Sequence, residues 1–166
     1  MDILTVLKDD HKKVKSLFEQ LETTTTAATK TRVEVLAKIE SELLVHMEFE
    51  EKVLYPAVKA GAEKAGKELT CEAYAEHESA VGCMAKLNGL DPSDEMWKAW
   101  LMVLKEGVTH HIKEEENELF GYARDVIPTA RRAEMAEEYE AMKATAPKPP
   151  KPAPKPVERR PQIALA

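Results

Sequence analysis

The chain has little cysteine: two residues in 166, Cys71 and Cys83. Twelve residues apart on one predicted helix, they cannot reach each other, so a disulfide framework is excluded and both read as thiols packed inside a bundle. Long apolar runs are missing too. None approaches the ~20 residues of a membrane span, and Met1-Asp2-Ile3 opens the chain with no basic stretch ahead of an apolar one. Neither a membrane helix nor a secretion signal is expected, which points to the cytoplasm. Outside the C-terminal tail, positive charge is outnumbered by negative. The net charge is −6, and from Thr145 onward three lysines and two arginines face Glu158 alone, about +4, which leaves about −10 on the rest. A body of that sign repels phosphate backbones and argues against nucleic acid as its partner.

Two metal-site motifs are also lacking. No histidine has a Glu or Asp three residues before it; those positions are Lys8, Leu43, Tyr74, Gly107 and Val108. The Glu-x-x-His of ferritin-like carboxylate sites is therefore absent. His77-Glu78 does not open a zinc-protease motif either, because Val81 stands where the second histidine would be.

What the chain does have is helical periodicity. Hydrophobic residues make up 43% and charged ones 33%, which fits one helical domain. Apolar positions three and four apart recur in four segments, the seam of a helix bundle. The first runs Leu4, Leu7, His11, Val14, Phe18, Leu21, with Asp2 as its N-cap. The second runs Leu36, Ile39, Leu43, His46, Glu50, Val53, Ala57, with Gly61 just beyond. The third runs Ala73, His77, Ala80, Met84, Leu87 and stops at Asn88-Gly89. The fourth follows Asp91-Pro92-Ser93 and runs Trp97, Leu101, Leu104, Val108, His111, Glu115, Leu119, Tyr122. Short polar links between them predict an all-α, up-down-up-down four-helix bundle over residues 1–125. An accessory helix is expected within 126–144, with Met135, Tyr139 and Met142 on one side, lying across the outside of the bundle. From 145 to 166, seven prolines interleave with lysines, which reads as an extended, disordered tail. It would serve as a spacer, or dock on an acidic surface or a proline-reading protein partner.

The seams contain residues that do not belong in an apolar core. His46 is followed by Glu50, Glu51 and then Leu54-Tyr55; His111 is followed by Glu115, Glu116 and then Leu119-Phe120. Residues i and i+4 share one helix face, so each pair points an imidazole and a carboxylate the same way. His11 and His77 occupy seam positions on the other two helices. Buried carboxylates cost several kcal/mol unless paired or bound to a cation, so one metal centre accounts for all six residues. The candidate ligands are His11, His46, Glu50, His77, His111 and Glu115. Imidazole and carboxylate without thiolate suit iron, manganese or zinc. Two carboxylates able to bridge and four terminal imidazoles describe a dinuclear site with open positions, and iron is the expected metal for oxygen-derived ligands. His110, with Glu114 four residues on, is the rival register. His111 is preferred because it keeps the three-four seam and places Leu119-Phe120 where Leu54-Tyr55 lies relative to His46. Glu51 and Glu116 turn about 100° away from the seam and read as surface groups or supports behind the ligands.

These residues resemble the hemerythrin-like family of HHE cation-binding domains. That pattern has a histidine on the first helix, His-x-x-x-Glu on the second, a histidine on the third and His-x-x-x-Glu or Asp on the fourth. It covers His11, His46 with Glu50, His77, and His111 with Glu115. The resemblance implies a four-helix bundle holding two non-haem irons bridged by oxide or hydroxide, with Glu50 and Glu115 as bridging carboxylates and dioxygen, peroxide or nitric oxide as ligands. Oxygen-carrying members have a second histidine four residues from the first on the third helix; here those positions are Ala73 and Val81. One iron is thus expected to lack a protein ligand; Tyr74 either leans into the gap or has a core or hydrogen-bonding role. Such a centre favours catalase-like peroxide decomposition over reversible oxygen carriage. Dioxygen or nitric oxide sensing and labile iron storage are the alternatives.

Overall fold

The computed structural model describes residues 1–147, and among these every regular element is helical. Helix α1 (Ile3–Glu22) begins at Asp2, whose carboxylate accepts from the Leu4 N–H at 3.0 Å. Helix α2 (Thr29–Phe49) runs through a five-residue π-turn, Glu50–Leu54, into α3 (Tyr55–Gly61). Helix α4 spans Lys64–Asn88. Helix α5 (Glu95–Glu114), capped by the Asp94 side chain, repeats the pattern: a π-turn at Glu115–Leu119 leads into α6 (Phe120–Val126). Helix α7 (Thr129–Thr145) follows Pro128.

The bundle pairs α1 with α2 and α4 with α5, as expected for short connections between antiparallel neighbours. Buried Arg32 ties the loops at one end together. Its guanidinium donates to Thr24 Oγ1 at 2.9 Å and to the Pro92 carbonyl at 2.6 Å, and stacks over Trp97. At the other end Gly61 and Gly66 let α3 and α4 meet α6; a Cβ on Gly61 would stand 2.7 Å from Val126 Cβ. The stop at Asn88-Gly89 is present, but Gly89 keeps a right-handed φ of −86°. The helix closes there by tightened turns, Gly89 N–H to Lys86 O and Leu90 N–H to Leu87 O, instead of a left-handed cap.

The π-turns change the expected seams. In each, one N–H skips to the carbonyl five residues back, Tyr55 to Glu50 and Phe120 to Glu115, which inserts one residue and rotates the downstream helix. Val53, Ala57 and Tyr122, expected in the core, are only half-buried. Leu54, Tyr55 and Val58 are fully buried instead, as are Phe120 and Ala123. Helix α7 lies across α1 and α2 as expected, with Met135 and Tyr139 buried against them and Met142 half-buried. The tail expected from 145 lies, beyond residue 147, outside the described residues. Cys83 is buried as expected, whereas Cys71 is exposed.

Two apolar clusters fill the bundle. One gathers Leu4, Leu7, Phe49, Tyr55, Val58, Phe120 and Tyr139; the other gathers Val14, Phe18, Ile39, Met84, Leu104 and Val108. Along α1 the residues between them are Asp10 and His11, both buried. That polar layer is the site.

Candidate metal centre

All six candidate residues lie in this layer, each no more than 7% exposed. They fall into two groups that share Glu50: His11, His46, Glu50 and Glu115, and Glu50, His77 and His111. Within each group, donor atoms lie within 4.8 Å of one another. Glu50 Oε1 is 3.0 Å from His46 Nε2 and its Oε2 is 3.4 Å from His77 Nε2. Glu115 Oε2 lies 3.4 Å from His11 Nε2 and 3.5 Å from His111 Nε2. The two carboxylates thus span the centre from opposite sides.

The far ring nitrogens are held from behind. Nδ1 of His11 meets Glu116 at 2.9 Å, that of His77 meets Glu51 at 2.9 Å, and that of His111 meets Glu76 at 2.8 Å. A carboxylate only accepts, so each of these Nδ1 atoms carries a proton and each Nε2 is the nitrogen that faces inward, free to ligate once any proton on it is lost. His46 Nδ1 faces Asp10 at 3.7 Å, an ion-pair distance longer than a hydrogen bond. Asp10 is itself held by α7, through Tyr139 Oη and Lys143 Nζ, each at 2.6 Å.

This layer has an approximate two-fold relation between α1–α2 and α4–α5. Asp10-His11 corresponds to Glu76-His77, His46 to His111, Glu50-Glu51 to Glu115-Glu116, and Tyr55 to Phe120. Phe120 stacks on His11 at 5.9 Å and Tyr55 on His77 at 5.5 Å. One oxygen breaks the symmetry. Tyr55 Oη donates to Glu115 Oε1 at 2.8 Å and lies 3.4 Å from Glu50 Oε2 and 3.3 Å from His77 Nε2.

Burial alone would discharge these groups; their mutual pairing decides otherwise. Burial opposes the charged form of His46, but Glu50, Asp10 and Glu115 raise its pKa from 6.5 to about 10. His111 also moves up against its burial, because Glu115 and Glu76 favour its cation. Burial would raise Glu50, yet His46 and His77 hold it well below the ordinary carboxylate value. Asp10 resists burial through His46, Lys143 and Tyr139, and falls to about 2. Tyr55 is pushed well up by burial and by the charges of Glu115 and Glu50, so it keeps its proton.

The arrangement fits a bound cation. Inward Nε2 atoms stand 3.1 Å apart in the His11–His46 pair and 3.2 Å apart in the His77–His111 pair. Lone pairs that close repel unless a proton or a metal ion lies between them. Glu50 Oε1 and Glu115 Oε2 are buried without a hydrogen-bond partner, a costly state that a cation relieves. Imidazole nitrogen and carboxylate oxygen together suit iron, manganese or zinc.

Beside the centre lies a cavity of about 90 Å³, reached between α4 and α5 and lined mostly by apolar residues such as Val14, Leu43, Met47, Leu104 and Val108, with Asp10, Glu76 and Ser79 also on its wall and all four histidines at its inner end. A second, crevice-like space of about 10 Å³ lies against Ala73, His111 and Glu115.

Tyr74 takes the hydrogen-bonding role and does not ligate: its hydroxyl donates to the Glu51 carbonyl at 2.9 Å, and the hydroxyl that reaches the carboxylates belongs to Tyr55. His110 is 60% exposed and pairs with Glu114, so the His111 register holds. Asp10, Glu76 and Tyr55 were not anticipated as part of the site. An acid directly before His11 and again before His77 was the available signal for the first two. Tyr55 became central only through the π-turn.

Comparisons with known proteins bear on the fold and the family. Residues 2–123 match the hemerythrin HHE cation-binding domain. A curated DNA nickase from Nostoc sp. is 29% identical over 144 residues, which are 87% of this chain but only 40% of that longer protein. A crystal structure of an HHE cation-binding domain-containing protein from Mycobacterium kansasii superposes with a TM-score of 0.74 at 23% identity, covering 87% of this chain and 86% of that one. It has the same fold. With the family match spanning most of the sequence and His/Glu clusters able to hold metal at the centre of the bundle, this chain belongs to the hemerythrin HHE cation-binding domain family.

Proposed function

We propose that the chain is a non-haem di-iron protein, with both irons held by His11, His46, Glu50, His77, His111 and Glu115, and that it decomposes peroxide in preference to carrying dioxygen reversibly. The observation that carries this reading is an open position beside His77 and His111. Glu50 reaches His46 and His77, and Glu115 Oε2 lies 3.4 Å from His11 and 3.5 Å from His111, so each histidine pair draws on the same two carboxylates. Ala73, four residues before His77, contributes a methyl group beside His111 and Glu115, where a ligating side chain would close the crevice. When bound, a pair of irons supplies the redox capacity by which two hydrogen peroxide molecules yield two waters and one dioxygen.

The chain's own residues prepare that chemistry. Apolar side chains line the approach between α4 and α5, which admits small neutral molecules and disfavours ions. Tyr55 holds its proton and fixes Glu115 through Oε1, leaving Oε2 toward the histidines. Glu51, Glu76 and Glu116 orient the rings through Nδ1. The same apolar cavity would serve a dioxygen or nitric oxide binding module, which is the second reading. DNA nicking, named for the Nostoc protein, is not part of the proposal: the chain spans 40% of that protein, and its net charge of −6 disfavours phosphate backbones.

The test is to reconstitute the protein with iron, add hydrogen peroxide and follow oxygen with an electrode. Oxygen should be released repeatedly at half the peroxide consumed. A protein that instead holds dioxygen reversibly through repeated cycles, without consuming peroxide, would refute the reading.

A further inference from the structure

On the outer surface of α4 and α5, three side chains that the buried layer does not need as ligands come together. His110 Nε2 lies 3.2 Å from Glu114 Oε1 and 3.7 Å from Glu76 Oε1. One donor atom from each residue falls within 4.8 Å of the other two. An imidazole with two carboxylates on one side is a donor set for a first-row divalent cation, with the outer positions left to water. Taken alone, His110 between two acids is an ordinary exposed ion pair.

A second observation links the cluster to the buried centre. The crevice of about 10 Å³ is lined at its outer end by Glu76 and Glu114 and at its inner end by His111 and Glu115. Its size is that of one water molecule or one partly dehydrated ion. It exists because residue 73 is alanine; a longer side chain there would fill it. Glu115, which lines it, has its Oε2 buried without a hydrogen-bond partner. Glu76 bridges the two levels, with Oε2 on His111 Nδ1 at 2.8 Å and Oε1 toward His110. The larger cavity also touches Asp10, Glu76 and Ser79, but most of its lining is apolar, whereas the crevice joins Glu76 and Glu114 directly to Glu115.

We propose that Glu76, His110 and Glu114 form a surface site for a divalent metal ion, which captures the ion and passes it beneath Ala73 to the buried centre. The site is exposed and keeps water on the ion, so it holds metal weakly and releases it inward to the better donor set. The inference rests on the buried centre being a metal site.

The experiment uses the full chain stripped of metal. Fe2+ bound under anaerobic conditions is counted by equilibrium dialysis, before and after a brief wash with a weak chelator. Loading is timed by the absorption of Co2+ added at low concentration. Wild type should bind three ions, one of them removed by the wash. His110→Ala and Glu114→Gln should each keep two wash-resistant ions, lose the third and load about tenfold more slowly, as expected for losing local cation capture. Ala73→Leu should keep the weak ion and slow loading. Three bound ions in His110→Ala, or loading at the wild-type rate in both surface variants, would overturn the loading site while leaving the buried centre intact. A wild-type protein with no wash-resistant ions would overturn the buried centre and the loading role with it.

Discussion

Taking up metal should cost the metal-free protein protons, and His46 sets the scale. In the empty layer its imidazole is cationic at neutral pH: burial opposes the charge, but Glu50, Asp10 and Glu115 carry the pKa from 6.5 to about 10. A metal needs the Nε2 lone pair, so binding must expel that proton. Between pH 7 and 9, apparent affinity should then rise about tenfold per pH unit for the His46 proton, about 1.4 kcal/mol each time. His111, also raised, steepens the slope where it is still protonated. The same shift has a sign for stability. A histidine raised above its unfolded value stabilises the metal-free fold fully below about 6.5 and loses that contribution as pH rises through about 10. The metal-free protein should therefore melt progressively lower from pH 7 to 10, while the loaded protein does not follow it. Calorimetric titration with Zn2+ in buffers of different ionisation enthalpy counts the protons released. Affinity flat across pH 7 to 9, with no proton release, would mean that His46 is neutral in the empty site and that the electrostatic reasoning fails.

Three further outcomes are expected. Tyr139→Phe removes the 2.6 Å hydrogen bond to Asp10; metal affinity should fall by about 10- to 100-fold, and an unchanged chelator competition would show that α7 does not support His46. Tyr55→Phe makes the layer symmetric with Phe120 and deprives Glu115 Oε1 of its 2.8 Å donor; chemical denaturation of the metal-free protein should show a loss of about 1–3 kcal/mol, and no loss would mean the bond is dispensable. Ala73→His should add a donor at the open position beside His111, slowing autoxidation and lowering peroxide turnover in a stopped-flow assay, and faster turnover would contradict the open-site argument.

The bundle and its inward histidines were legible because helical periodicity is a local property, and a histidine or glutamate in an apolar seam stands out against it. The π-turns were not. No residue type signals a single i→i+5 hydrogen bond, so the seam was continued through Val53 and Ala57 when the core had rotated to Leu54, Tyr55 and Val58. The trace of that rotation was present in Leu54-Tyr55 and Leu119-Phe120, neighbouring residues that a regular helix would point about 100° apart yet all four of which are buried. The reach of Tyr55 was hidden for the same reason, since the π-turn turns it inward to Glu115. The carboxylates behind the rings were half legible. Glu51 and Glu116 follow the inward glutamates and were flagged, while Asp10 and Glu76 were hidden because their partners, His46 and His111, lie on other helices. The role of α7 could not be read at all: that Tyr139 and Lys143 meet Asp10 depends on how the last helix folds back over the first.

The dinuclear centre is tested most directly by counting iron. Metal-free protein is loaded anaerobically with Fe2+, freed of loosely held ions by a weak chelator and gel filtration, and assayed for iron per chain, beside Glu50→Ala. Glu50 belongs to both donor groups, so the account predicts two irons in the wild type and loss of most metal in the variant. A wild-type chain that saturates with one ion and refuses a second, or a Glu50→Ala variant that still holds two, would contradict it.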